Sequence, residues 1–313
     1  MRKRFTRSNN EKTIKEVFED FQFHNKLKNL APRTISSYDK NTIHFFNFLE
    51  KQNINYCSEL DKDVVNDFIL YLHELNIKDV SINTYLRHVR AFLYYCMNEE
   101  YINSFKIHLI KTNEEQKAPY TEDEIKRLLS SPNFRKCGFV EWRNWLMVAY
   151  MLETGNRLNT VINLKIENID FDNGLIILTS NKNRQINYSP LSNVMIKNIQ
   201  RFIETWGLQE DDYLFPSETG EKMKTRAVQS SISKYNHSRG VTKTGIHRFR
   251  HTFAKNYISK GGNPLVLQKL LHHSTLNITQ KYVRLYSNDL KNGFSDISIV
   301  ENMTKNQSFK RKR

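Results

Sequence analysis

Apolar residues return at helical spacing in four successive segments of roughly the first hundred residues, a pattern that restricts this stretch to a small helical bundle. From Thr13 to Leu27, the residues Ile14, Val17, Phe18 and Phe21 share one face. Pro32, Arg33 and Thr34 open a second helix that carries Tyr38, Ile43, Phe46 and Leu49. Val64 to Leu75 predicts a third, with Phe68, Ile69 and Leu72, and Ser81 to Tyr101 a fourth, with Tyr85, Val89, Phe92, Leu93 and Cys96. The pattern then stops. Residues 111–120 are polar and end in a proline-containing break, which marks a linker between two domains.

Beyond the linker the reading changes. Thr121 with Glu124 three residues on fits a capping box. Val140 to Glu153 is an apolar helix stopped by Gly155. Gly174 to Thr179 is β-branched and apolar, a strand; Asn181, Lys182 and Asn183 supply a turn, and Gln185 to Leu191 is the returning strand of a two-stranded hairpin. Helices are expected over 193–205, 225–238, 247–260 and 264–272, with a short one carrying Tyr282. The fold class is therefore mainly α: a four-helix domain over 11–110, a linker over 111–120, and a mixed α/β, mostly helical domain with a small antiparallel sheet over 121–300. Basic tails occupy 1–10, which is expected to be disordered, and 301–313.

Charge narrows the partner. Lys and Arg number 48 against 33 Asp and Glu, a formal excess of 15, in a chain of 313 residues. Many plain soluble proteins are basic too, but here the excess is spread along the chain, which fits a long polyanion such as double-stranded DNA. No apolar run approaches a membrane span and none follows the charged N-terminus, so neither a membrane partner nor a signal peptide is expected. Cys57, Cys96 and Cys137 form no metal spacing and no even set, which suggests buried thiols in a reducing cytoplasm.

The chemistry concentrates between His247 and Tyr282. The stretch reads His247-Arg248-Phe249-Arg250-His251, then Leu270-Leu271-His272-His273, then Gln280-Lys281-Tyr282. A phosphodiester resists nucleophiles because its non-bridging oxygens share a negative charge. Guanidinium groups hold those oxygens through paired hydrogen bonds and stay charged at any relevant pH. A phenol can attack the phosphorus and histidines can manage protons. His247 and Arg250, three apart on a helix, share a face, whereas His251 points elsewhere. Any single arginine is more often a surface ion pair, and any one of the 15 tyrosines is usually packing. Two adjacent histidines also raise metal binding, but no carboxylate or cysteine cluster accompanies them, so no metal or cofactor is expected.

Arg157 in Thr154-Gly155-Asn156-Arg157, then Lys182, the His247-x-x-Arg250 pair, His273 and Tyr282 follow one another in an order that resembles the tyrosine recombinases, the phage integrase family. The resemblance covers roughly residues 11–290, and its specific motifs lie in the second half. It implies a core-binding, SAM-like N-terminal domain and a recombinase catalytic domain. It assigns catalysis to Arg157, Lys182, His247, Arg250 and His273, with Tyr282, nine residues after His273, as nucleophile and Tyr286 as its rival. Lys182 gains its role, protonation of the leaving oxygen, only from the family's lysine on such a hairpin; a solvated turn lysine is otherwise the default, and Arg184 is the alternative cation. Two positions depart from the family: Thr160 stands where an acidic residue is usual, and His272 where glycine is usual and best tolerates a left-handed helix end.

On the N-terminal bundle, Arg33, Ser36 and Lys40 line one helix face and Thr84, Arg87, His88 and Arg90 another. Such faces are most often only solvated. Beside a DNA-cleaving domain they read as half of a clamp, with Arg33, Lys40, Thr84, Arg87, Arg90 and Arg184 as DNA-binding residues. What the resemblance implies is site-specific recombination through a 3′-phosphotyrosine, without ATP or metal. It also implies a homotetramer on DNA with inverted half-sites, helped by DNA-bending or directionality factors, and docking of Asn288–Met303 on a neighbouring subunit. A type IB topoisomerase, a silent DNA-binding protein of the same fold and a basic helical regulator are the alternatives.

Overall fold

A computed structural model describes residues 12–112, 118–179 and 186–272, together with Thr279, Gln280 and Tyr282. The chain divides into two compact units, Met1–Gln116 and Lys117–Arg313. Among the described residues no helix is long and apolar enough to cross a membrane.

The first unit contains α1 (Ile14–Leu27), α2 (Pro32–Lys51), α3 (Lys62–Glu74) and α4 (Asp79–Asn98). Thr13 and Glu16 close a capping box at the start of α1, and Pro32 begins α2 where its missing N–H costs nothing. Just past the ends of α1, α2 and α3 stand Asn29, Asn53 and Asn76, all at positive φ, where asparagine is among the few side chains tolerated. The core is rich in phenylalanine. Phe92 is fully buried, with its ring centroid 5.3 Å from Phe18, 5.7 Å from Phe21 and 6.1 Å from Phe46. Cys57 and Cys96 are buried and share a side-chain hydrogen bond. Cys137, expected to be buried as well, is only half-buried: it sits in the loop before the next long helix and packs against the rim of the second unit's core.

The second unit is built around one apolar helix. In order it contains α5 (Glu122–Leu129), α6 (Phe139–Thr154), α7 (Leu158–Asn163), β1 (Ile169–Asp170), β2 (Leu175–Thr179), β3 (Ile186–Pro190), α8 (Asn193–Trp206), α9 (Thr225–Ser238), α10 (His247–Ser259) and α11 (Pro264–Leu270). The capping box of Thr121 and Glu124 is formed. From Trp142 to Met151 every residue of α6 is buried, so this helix is surrounded, and α5, α8, α9 and α10 pack against it. The sheet is antiparallel in the order β1-β2-β3, with Ile176 of β2 opposite Ile169 on one side and Ser189 of β3 on the other. It therefore has three strands where the sequence predicted a two-stranded hairpin. The added strand is two residues long, too short to show an alternating pattern. Helix α7 was not anticipated either, since six residues barely exceed one turn.

Candidate active site

The end of α6 delivers the first arginine. Gly155 caps the helix at φ 62°, and a Cβ there would stand 2.6 Å from the Phe253 ring and 2.9 Å from the Leu271 side chain. Glycine meets both the left-handed backbone and the close approach. The end of α6 is thereby pressed against α10 and the end of α11. Two residues on, Arg157 begins α7 as its N-cap, exposed, and its Nη1 donates to the His272 carbonyl at 3.3 Å.

Arg250 comes from α10 and is only 7% exposed. Its Nη1 donates to the Gly155 carbonyl at 2.9 Å and its Nη2 to the Leu271 carbonyl at 2.7 Å. These two bonds fix the plane of the guanidinium and use carbonyls freed by the ends of α6 and α11. The helix around it is itself anchored: Arg248 donates to the Ala118 carbonyl, and the Thr252 hydroxyl accepts from the Tyr120 N–H at 2.9 Å. Burial, and then the like charge of Arg157, pushes Arg250 down to about 10, which leaves it charged at neutral pH.

Tyr282 completes the cluster. It is 7% exposed and packs with Ala254, Leu267 and Leu271. Arg250 donates a side-chain hydrogen bond to its phenol oxygen. Burial raises the phenol above its ordinary value, while the charges of Arg250 and Arg157 and the hydrogen bond pull the other way. The His251 ring lies 5.6 Å from the Tyr282 ring, centroid to centroid, at 51°. His251 thus does not point away from the chemistry as the helical spacing suggested. Adjacent helical positions diverge by about 100°, and the phenol lies where both Arg250 and His251 reach it.

His247 is exposed at the first position of α10, one turn before Arg250, and among the described residues no hydrogen bond joins it to the arginines. Lys182, Arg184 and His273 lie outside the described residues, as do Tyr286 and 288–303. Thr160 lies in the first turn of α7, its N–H bonded to the Arg157 carbonyl at 2.8 Å.

Sequence reasoning missed a buried polar chain beneath the arginines. His272 Nε2 is 3.5 Å from Ser189 Oγ, Ser189 Oγ donates to Asn156 Oδ1 at 3.3 Å, and Asn156 Nδ2 donates to the Tyr150 hydroxyl at 2.8 Å. These residues come from α11's end, β3, the α6–α7 turn and α6, so only the fold brings them together. The one sequence signal was His272 in a place where a left-handed backbone was suspected.

In the first unit, α2 and α4 pack with His88 in the seam, 3.2 Å from Ser37 Oγ and with Nδ1 2.7 Å from the Thr84 carbonyl. Arg33, Lys40 and Arg87 are exposed, while Thr84 and Arg90 are half-buried, the Thr84 hydroxyl donating to the Val80 carbonyl. The Ser37–His88 contact joins the helix that carries Arg33 and Lys40 to the one that carries Thr84 and Arg87.

Comparison with known proteins settles the family. The Phage integrase family model matches residues 119–289, and the Phage integrase SAM-like domain model matches residues 7–118. The chain belongs to the phage integrase family. This tyrosine recombinase is 26% identical over 293 residues to tyrosine recombinase XerA of Thermococcus kodakarensis, covering 92% of this chain and 97% of that protein. It is 24% identical over 289 residues to XerD of Staphylococcus saprophyticus, covering 90% and 97%. Among solved structures, the Tn1549 transposon integrase in complex with transposon right end DNA shares the fold at TM-score 0.72 and 20% identity, over 87% of this chain and 94% of that one. XerH bound to its palindromic difH substrate, a post-cleavage complex, superposes at TM-score 0.66 and 18% identity, over 86% and 81%. Family membership makes the chain a site-specific recombinase, and its expected fold class holds in both units.

Proposed function

We propose that this recombinase cuts and rejoins double-stranded DNA through a 3′-phosphotyrosine on Tyr282. The phenol oxygen attacks phosphorus, the bond to the 5′-oxygen breaks, and Lys182 protonates the departing oxygen. The phenol's own proton passes to a histidine, His247 or His273. Arg157 and Arg250 neutralise the non-bridging oxygens as charge builds in the pentacovalent transition state. A 5′-hydroxyl from another strand then attacks the phosphotyrosine and releases Tyr282. The bond energy stays in the protein–DNA link, so the exchange needs no ATP, and the cations are supplied by side chains. Two duplexes with inverted half-sites in a homotetramer would let the strands trade partners.

One observation carries this reading: the buried phenol of Tyr282 is hydrogen-bonded to Arg250 and feels the charge of both Arg250 and Arg157. A buried tyrosine serving only as packing has no need of two guanidinium groups that, among the described residues, have no carboxylate partner. The test is covalent trapping on a nicked suicide substrate. Wild type should form an adduct that survives denaturation and excess EDTA, and Tyr282→Phe should form none while binding the same DNA with near-equal affinity. Adduct formation by Tyr282→Phe would refute the assignment.

A further inference from the structure

His272 stands at φ 50°, a left-handed conformation uncommon outside glycine, although asparagine, aspartate and histidine enter it more often than other residues. Backbone strain of this kind persists only where the surroundings hold it, and an observed outlier is a reason to ask what is gained. Here the same residue makes two contacts in opposite directions. Its carbonyl accepts from Arg157 Nη1 at 3.3 Å, beside the Leu271 carbonyl that accepts from Arg250 Nη2 at 2.7 Å. Its imidazole reaches the other way, to Ser189 on β3.

The donor order along the chain places a proton on Nε2 of the imidazole. Ser189 has one hydroxyl proton and donates it to Asn156 Oδ1, whose amide in turn donates to the Tyr150 hydroxyl. Ser189 Oγ can therefore only accept from His272, so Nε2 carries a proton. Ser189 and Asn156 are 1% and 4% exposed, so the tether is anchored in packed structure.

We propose that His272 is a positioning residue: its imidazole, tethered to Ser189, holds the strained turn that aims the 271 and 272 carbonyls at the two arginines, and so sets their geometry for the scissile phosphate. The idea rests on the strand-cleavage reading above. Glycine at 272 would adopt the turn without strain but would leave it untethered.

The tether needs a proton on Nε2, and the surroundings decide whether Nδ1 carries a second one. Among the described residues, the charged groups facing His272 are Arg250 from α10 and Arg157 from the start of α7, and β3 offers the Ser189 hydroxyl. Burial and these two cations hold the imidazole below its ordinary value of 6.5. Its folded value is depressed, so the neutral form prevails above that range, and protonation sets in only as pH falls further. A third positive charge then arises beside the arginines.

Three readouts test this. In single-turnover cleavage of the nicked substrate, His272→Gly should be slower by about 10- to 100-fold, the size expected when a reacting group is displaced by up to an ångström. DNA affinity should be unchanged and the melting temperature no lower. Ser189→Ala should show a similar loss, and the double variant should be no slower than the slower single one, because the two share one contact. The acid limb of the rate profile should lose one titrating group in His272→Gly. Wild-type rate and an unchanged acid limb in that variant, or fully additive losses in the pair, would overturn the proposal. Nitrogen chemical shifts of the His272 ring in the DNA-free protein give an answer that does not depend on catalysis. An Nε2–H tautomer supports the tether, and an Nδ1–H tautomer refutes it. Absence of any adduct with wild type would instead refute the cleavage reading, with the tautomer still deciding the tether.

Discussion

Arg250 shows what a single side chain contributes to the site. Two of its N–H groups are committed to backbone carbonyls of Gly155 and Leu271 and another to Tyr282, so its orientation is set before DNA arrives. Arg250→Lys keeps the charge but loses the fork, and cleavage should fall by about 100-fold or more, in line with removal of a preorganised transition-state donor. Cleavage by that variant at wild-type rate would deny Arg250 its role. Lys182 permits a sharper test. If its amine protonates the leaving 5′-oxygen, Lys182→Ala should slow cleavage by roughly 10²–10⁴, the usual worth of general acid catalysis. A substrate with sulfur at the bridging 5′ position needs no such proton and should restore the variant to near the wild-type rate. Equal impairment on both substrates would move the role to Arg184 or a histidine. At this scale the sequence offers candidates and says little about contacts. The His247-x-x-Arg250 spacing and Tyr282 were visible in it. His251 against the phenol, and Tyr150, Asn156, Ser189 and His272 in one chain, were not, because residues up to 122 positions apart meet only after folding.

The elements hold these side chains through their ends. α6, α10 and α11 meet at Gly155, whose missing Cβ lets Phe253 and Leu271 close over it. Gly155→Ala should destabilise the second unit by about 1–2 kcal/mol from the left-handed backbone alone, and more from the clash. It should also slow cleavage, because both the Arg250 acceptor and Arg157 ride on this turn. Calorimetry together with the adduct assay would check both effects, and unchanged stability would remove Gly155 from the account. Long elements were legible because periodicity needs several turns to declare itself, as in α1, α2, α4 and α6. Gly155 was legible as a stop because a glycine after an apolar run marks a helix end. α7 and β1 escaped because six and two residues carry no period.

Across the whole molecule, charge governs how DNA is held. The basic residues on α2 and α4 are proposed to grip the backbone, and each phosphate neutralised contributes a slope of about −0.9 in log K against log[salt]. Replacing Arg33, Lys40 and Arg87 together by alanine should make the slope shallower by roughly 2–3, and weaken binding evenly across sequences, if each contacts a phosphate. A slope equal to wild type would show that this face does not touch the duplex. Net charge pointed to a polyanion from the sequence alone, but only folding shows that the helices carrying these residues meet at the Ser37–His88 contact. The central claim is that Tyr282, set against Arg157 and Arg250, is the residue that bonds to DNA. The most direct measurement is to trap the adduct on a nicked substrate, digest both protein and DNA, and sequence the cross-linked peptide by mass spectrometry. The expected result is a nucleotide joined through its 3′-phosphate to Tyr282; linkage to Tyr286 or any other residue, or through a 5′-phosphate, would contradict it.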